Sequence, residues 1–239
     1  VDFICARQEA EAPQGVRVIA VGRPPGLKVL KMLWFLIQAE RARKAGNYDL
    51  SISLGKTWNQ DIVREGGGPL QVFWRLSREA WDKGLPRLLK TATRLLQPAN
   101  WLTLFIEKRL FRQTPYVVAI SHSVRAWVAE AYPHFDDPRN DRQQLLTIYN
   151  CPDLSRFHPP LPDERAHARA DLGMKPETYA LGVATTNFAI KGVGPLIRSL
   201  LLLPADTHLY IAGGRNPKAY RKLAESAGLA SRVHFLGKV

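Results

Sequence analysis

With 239 residues, 46% of them hydrophobic and 23% charged, the chain has an ordinary globular composition and ample length for a buried core. Its 34 lysines and arginines against 21 aspartates and glutamates leave a formal charge of +13. That field draws phosphorylated ligands, anionic lipid or nucleic acid without selecting among them. Cys5 and Cys151 lie far apart in no metal-ligand spacing, which argues against a disulfide framework or a zinc site. The longest apolar run, Met32 to Ile37, falls well short of the ~20 residues a spanning helix needs.

In chain order, short β-branched runs alternate with amphipathic stretches. Strands are predicted at residues 1–5, 16–21, 49–54, 116–120 and 145–149, then at 179–184, 208–212 and 233–236. Helices are predicted at 27–45, 70–83, 101–111, 123–131, 193–203 and 217–227. This alternation predicts an α/β fold of parallel sheets covered by helices, with ligands beyond the carboxyl ends of the strands. Proline density from Asn150-Cys151-Pro152-Asp153 through Phe157-His158-Pro159-Pro160 interrupts the rhythm. The predicted first domain is therefore residues 1–160 and the second 161–239. A strand opens the chain at Val1, and only Gly237-Lys238-Val239 follow the last one, so both ends are expected to be truncated.

Three segments carry chemistry. In Leu181-Gly182-Val183-Ala184-Thr185-Thr186-Asn187-Phe188-Ala189-Ile190-Lys191-Gly192-Val193, a strand runs through a polar loop into a helix start. Such a start offers backbone N–H groups and a positive dipole end to phosphate, to which Lys191 adds a full charge; the plainer reading is a helix start with a solvated lysine. Arg64-Glu65-Gly66-Gly67-Gly68 holds three successive glycines whose amides can approach a ligand closely, unless the segment is a simple connector. In Val117-Val118-Ala119-Ile120-Ser121-His122, Ser121 is positioned to cap the following helix. His122 is the nearest candidate base, though exposure without a role is commoner for a histidine in a turn.

Taken together and in order, these pieces resemble glycosyltransferase family 4, and within it the lipopolysaccharide-core branch. Asn187 to Gly192 is similar to the family's G-x-x-x-F-x-R-K-G stretch. Thr147-Ile148-Tyr149-Asn150-Cys151-Pro152-Asp153-Leu154-Ser155-Arg156-Phe157 resembles its interdomain link. Leu209-Tyr210-Ile211-Ala212-Gly213-Gly214 resembles its strand and glycine turn, and Arg232-Val233-His234-Phe235-Leu236-Gly237 a further strand.

The resemblance implies a GT-B fold: an acceptor-side Rossmann-like domain lacking its first strand, plus the first half of a second, donor-binding Rossmann-like domain. It implies a retaining transfer from a nucleotide-sugar donor to a cell-envelope glycan or lipid-linked acceptor, with no cofactor and no metal. Lys191, Gly192, Asn187 and Phe188 would hold the donor phosphates. Gly213, Gly214, Val233, His234 and Phe235 would lie on the nucleoside side. Arg64, Gly66, Gly67, Gly68 and His122 would line the acceptor side. The family's arginine before the lysine is Ile190 here, with Arg215 as the expected compensation, and its pair of glutamates seven residues apart is not found before Val239. The fragment alone is therefore expected to be inactive, with no assignable catalytic residue.

Residues 27–44 and 86–112 mix lysine and arginine with Trp34, Phe35, Trp101, Phe105 and Phe111. They predict either core-facing helices with a solvated basic side or contact with an anionic membrane surface. The expected location is the cytoplasm, peripheral on the inner face of the membrane. No recognised nucleic-acid module is found. The alternative function is a non-catalytic basic module that binds polyanions or anionic membrane.

Overall fold

The computed structural model describes every residue except Asp82, Lys83, Pro176, Arg215, Asn216 and Val239. The described residues form two compact units, Val1–Cys151 and Pro152–Val239. The division falls at the start of the proline-rich segment, earlier than the expected Pro160.

In the first unit, β1 (Asp2–Cys5) pairs in parallel with β2 (Arg17–Ala20). A separate parallel sheet runs β3 (Ile52–Ser53), β4 (Ile62–Glu65), β5 (Tyr116–Ala119), β6 (Gln144–Thr147). Around them lie α1 (Lys28–Ala45), α2 (Leu70–Ser77), α3 (Leu85–Leu96), α4 (Pro98–Gln113) and α5 (His122–Ala131). Alternation in β5 buries Val117 and Ala119 against Leu110 and Phe111 of α4, Val124 and Val128 of α5, and Val63 of β4. The Phe111 ring meets Tyr132 at 4.6 Å, closing this core.

The second unit contains α6 (Pro162–Asp171), β7 (Tyr179–Ala184), α7 (Val193–Ser199), β8 (Thr207–Ala212), α8 (Lys218–Ser226) and β9 (Val233–Gly237). Its strands lie parallel in the order β7-β8-β9, so each connection crosses over through a helix. One sheet face carries Leu209, Ile211 and Val233 into a core with Val193, Ile197, Leu200 and Ala224. On the opposite face Tyr210 stacks on His234, whose ring nitrogen lies 2.9 Å from that of His208.

The alternating parallel pattern agrees with expectation, and several elements correct it. β4, α3 and α6 escape the sequence reading. Ile62-Val63 is too short an apolar run to signal a strand, and it becomes one through parallel partners on both sides. Gly84 and Pro86 suggest a break before α3, yet proline is tolerated in a first helical turn. The predicted strand 49–54 shrinks to Ile52–Ser53, and α2 ends at Ser77 in a short 3-10 turn.

Candidate functional site

In the second unit, the loop joining β7 to α7 is fixed by its own side chains. The Asn187 amide donates to Thr185 Oγ1 at 3.1 Å, and Asn187 Oδ1 accepts from the Ile190 amide at 3.2 Å. Phe188 turns inward, 6% exposed, meeting Tyr220 edge-on at 5.1 Å and Phe235 at 6.2 Å. Gly192 then takes φ +68°, a left-handed conformation suited to glycine, before α7 begins.

The turn after β8 locks onto this loop. Gly213 and Gly214 both have positive φ, and a Cβ on Gly214 would lie 2.1 Å from the Phe188 ring. A Cβ on Gly213 would lie 2.5 Å from the Thr185 carbonyl oxygen. Both positions therefore demand glycine, and the two predicted segments form one packed corner at the carboxyl ends of β7 and β8.

The amides near the helix start are largely in use. Those of Lys191, Gly192 and Val193 donate to the carbonyls of Asn187, Ala189 and Phe188. This corrects the picture of a helix start with open N–H groups. The exposed side chain of Lys191 makes no ion pair among the described residues, so its ammonium is the available charge. Ile190 is exposed at this loop, and Arg215, the expected compensation for the missing arginine, lies outside the described residues.

Val233, His234 and Phe235 do not form a strand end. They open β9, whose carboxyl end at Gly237 accepts from the Gly213 amide. Val233 belongs to the core and Phe235 packs against it, while His234 lies on the far sheet face. Burial, followed by the nearby charge of His208, holds the His234 imidazole below its ordinary pKa.

In the first unit, the carboxyl ends of β4, β5 and β6 gather the predicted acceptor-side residues. Arg64 and Glu65 lie on β4 rather than in a loop, and the Arg64 guanidinium donates to Asn150 beyond β6. Ser121 caps α5 as expected, accepting from the Val124 amide at 3.2 Å. His122 opens that helix, its ring edge-on to Tyr149 at 5.6 Å.

Gly66, Gly67 and Gly68 follow β4, and carboxylates already use nearby amides. Gly67 donates to Glu65 Oε1 at 3.1 Å, and burial raises the pKa of the Glu65 carboxyl. Leu70, opening α2, donates to Glu107, which also pairs with Lys56. Tyr149, Asn150 and Glu107 were not singled out as site residues from sequence. Glu107 has no local signal, since a glutamate within a mixed helix reads as a solvated charge. Among the described residues no group of three or more His, Cys, Asp or Glu side chains is placed to hold a metal.

No protein-family model matches the chain. Over 112 residues it is 30% identical to the lipopolysaccharide glucosyltransferase WaaG of Escherichia coli (strain K12), covering 45% of this chain and 29% of that protein. It is 33% identical over 112 residues to the D-inositol 3-phosphate glycosyltransferase of Mycolicibacterium gilvum (strain PYR-GCK), covering 41% and 25%. The crystal structure of WaaG, described as a glycosyltransferase involved in lipopolysaccharide biosynthesis, matches with a TM-score of 0.73 at 20% identity. That match covers 100% of this chain and 61% of WaaG. Anabaena Alr3699/HepE in complex with UDP-glucose matches with a TM-score of 0.55 at 17% identity, over 93% of this chain and 56% of that one. The chain thus spans less than two thirds of the relatives it matches, and its fold is that of the GT-B glycosyltransferases.

Proposed function

We propose, from the premise that this chain belongs with the lipopolysaccharide-type glycosyltransferases of family 4, that its second unit binds a nucleotide-sugar donor. Lys191 meets the donor's diphosphate. The carrying observation is the packed corner of Asn187–Gly192 and Gly213–Gly214, which leaves the Lys191 ammonium exposed and unpaired among the described residues. A cation at that position stabilises the negative charge that develops on a departing nucleotide diphosphate. The similarity to WaaG and the fold shared with a UDP-glucose-bound protein support this reading.

In the whole enzyme the sugar passes, with retention of configuration, to a cell-envelope glycan or lipid-linked acceptor held near Arg64, Gly66–Gly68 and His122. No resident metal is assigned a part in this reading. The enzyme works in the cytoplasm, on the inner face of the membrane. This stretch by itself binds donor without full turnover, because the family's paired glutamates are not among its residues.

Titration with UDP, followed by amide shifts of residues 187–192, tests the donor site. Lys191→Ala is expected to weaken UDP binding by about tenfold or more, the scale of one charge-assisted contact. If UDP, GDP and ADP and their sugars all fail to bind the wild-type chain, the donor reading is wrong.

A second reading concerns the membrane, and one element favours it. The leucines of α3 point outward, with Leu85, Leu88, Leu89, Leu95 and Leu96 between 46 and 81% exposed. Its basic residues turn inward: Arg87 donates to the Trp81 carbonyl, Lys90 lies over the Trp81 ring, and Arg94 donates to Trp74 and Ser77. An apolar face this open suits shallow insertion into a lipid surface. No described helix is long and apolar enough to cross a membrane.

A further inference from the structure

We propose that Glu107, oriented by Lys56, is the positioning residue of the glycine loop, acting through the first turn of α2 to hold Gly66–Gly68 in place. The proposal rests on the reading of that loop as the acceptor side. Glu107 is 1% exposed within α4. A carboxylate so buried needs compensating partners, and replacing such a pair with apolar side chains often leaves stability unchanged or raised. The charge is therefore better explained by what it holds than by stability.

Its partners come from three other segments of the first unit. Lys56, after β3, makes an ion pair with Glu107. The Leu70 amide lies 3.1 Å from each carboxylate oxygen, and the Tyr132 hydroxyl donates at 3.4 Å. Leu70 is the first residue of α2, so Glu107 satisfies a donor that the helix itself leaves unpaired and faces its positive end.

The consequence for the loop is geometric. At its strand end, Glu65 accepts from the Gly67 amide; at its helix end, Glu107 accepts from Leu70. Pro69, which joins the loop to α2, is buried. Three glycines carry no side chains to hold themselves, so anchors outside the loop set its shape. The Lys56 ammonium orients the Glu107 carboxylate, and the carboxylate orients the loop.

Backbone amide exchange across the full chain tests this with Glu107→Gln, Lys56→Met and Lys56→Arg. Glu107→Gln keeps the side-chain shape and removes the charge. Exchange at Gly67, Gly68 and Leu70 is expected to rise about tenfold, with Val117 and Ala119 of β5 unchanged. Lys56→Met should reproduce the rise and Lys56→Arg should restore protection, a charge-specific rescue that simple packing does not predict. Unchanged loop exchange, an equal rise in β5, or no difference between Lys56→Met and Lys56→Arg overturns the proposal. Should Glu107→Gln not fold, the two Lys56 variants decide alone. These samples contain no acceptor, so the exchange reads the Glu107 anchor whether or not the loop is the acceptor side, and the two can fail independently.

Discussion

At Gly214, backbone conformation and packing make the same demand. Its φ is +81°, and a Cβ would overlap the ring of Phe188, itself locked against Tyr220. Gly214→Ala is expected to cost about 2–3 kcal/mol in urea unfolding, through left-handed strain together with overpacking. Gly182→Ala, where a Cβ meets nothing within 4 Å, should stay within about 0.5 kcal/mol. Equal stability of the two variants would show that Phe188 is free to swing away. His234 supports a second expectation. Its pKa is lower in the fold than in the unfolded chain, so the fold favours the neutral ring. The associated stability is complete above the unfolded value near 6.5 and is lost as the pH falls below it. Urea midpoints should therefore drop as the pH falls below about 6.5, and His234→Gln should flatten part of that drop. An identical profile in the variant would assign the pH dependence to other groups.

At the scale of elements, α3 departs furthest from expectation. The sequence does not mark α3 as a helix of its own, and for residues 86–112 it leaves open a core-facing helix with a solvated basic side or contact with an anionic membrane surface. The structure turns the basic residues inward, because the Trp81 ring and the backbone carbonyls of Trp74 and Trp81 attract the cationic side chains. Desolvation accordingly lowers the pKa of the Arg94 guanidinium. α1 behaves in part the same way, burying Leu36 and Ala39 while Leu30, Trp34 and Ile37 stay exposed. If the leucine face of α3 seats on lipid, the chain should float with phosphatidylglycerol vesicles at low salt. Leu88→Glu/Leu89→Glu should abolish flotation without changing the melting temperature, since neither leucine is buried. Wild-type protein that stays in the pellet fraction, or a variant that floats equally well, would dismiss this role.

At the scale of the whole molecule, much of the fold was legible in the sequence. Strand–helix alternation, the break after Asn150 and the glycine turn after β8 each have local signatures in periodicity or turn chemistry. So did the packed corner after β7 and β8, where Asn187, Gly192, Gly213 and Gly214 stand close to strand ends that the pattern already marks. Only the tertiary structure decided that Phe188 fills the space beside Gly214, and that Gly67 of the glycine loop donates to Glu65 while Leu70, opening α2, donates to Glu107. It alone showed that α3 turns its leucines outward. The physical reason is separation along the chain. Glu107 lies 37 residues from Leu70 and 51 from Lys56, and no local pattern records a buried charge whose partners arrive from that far.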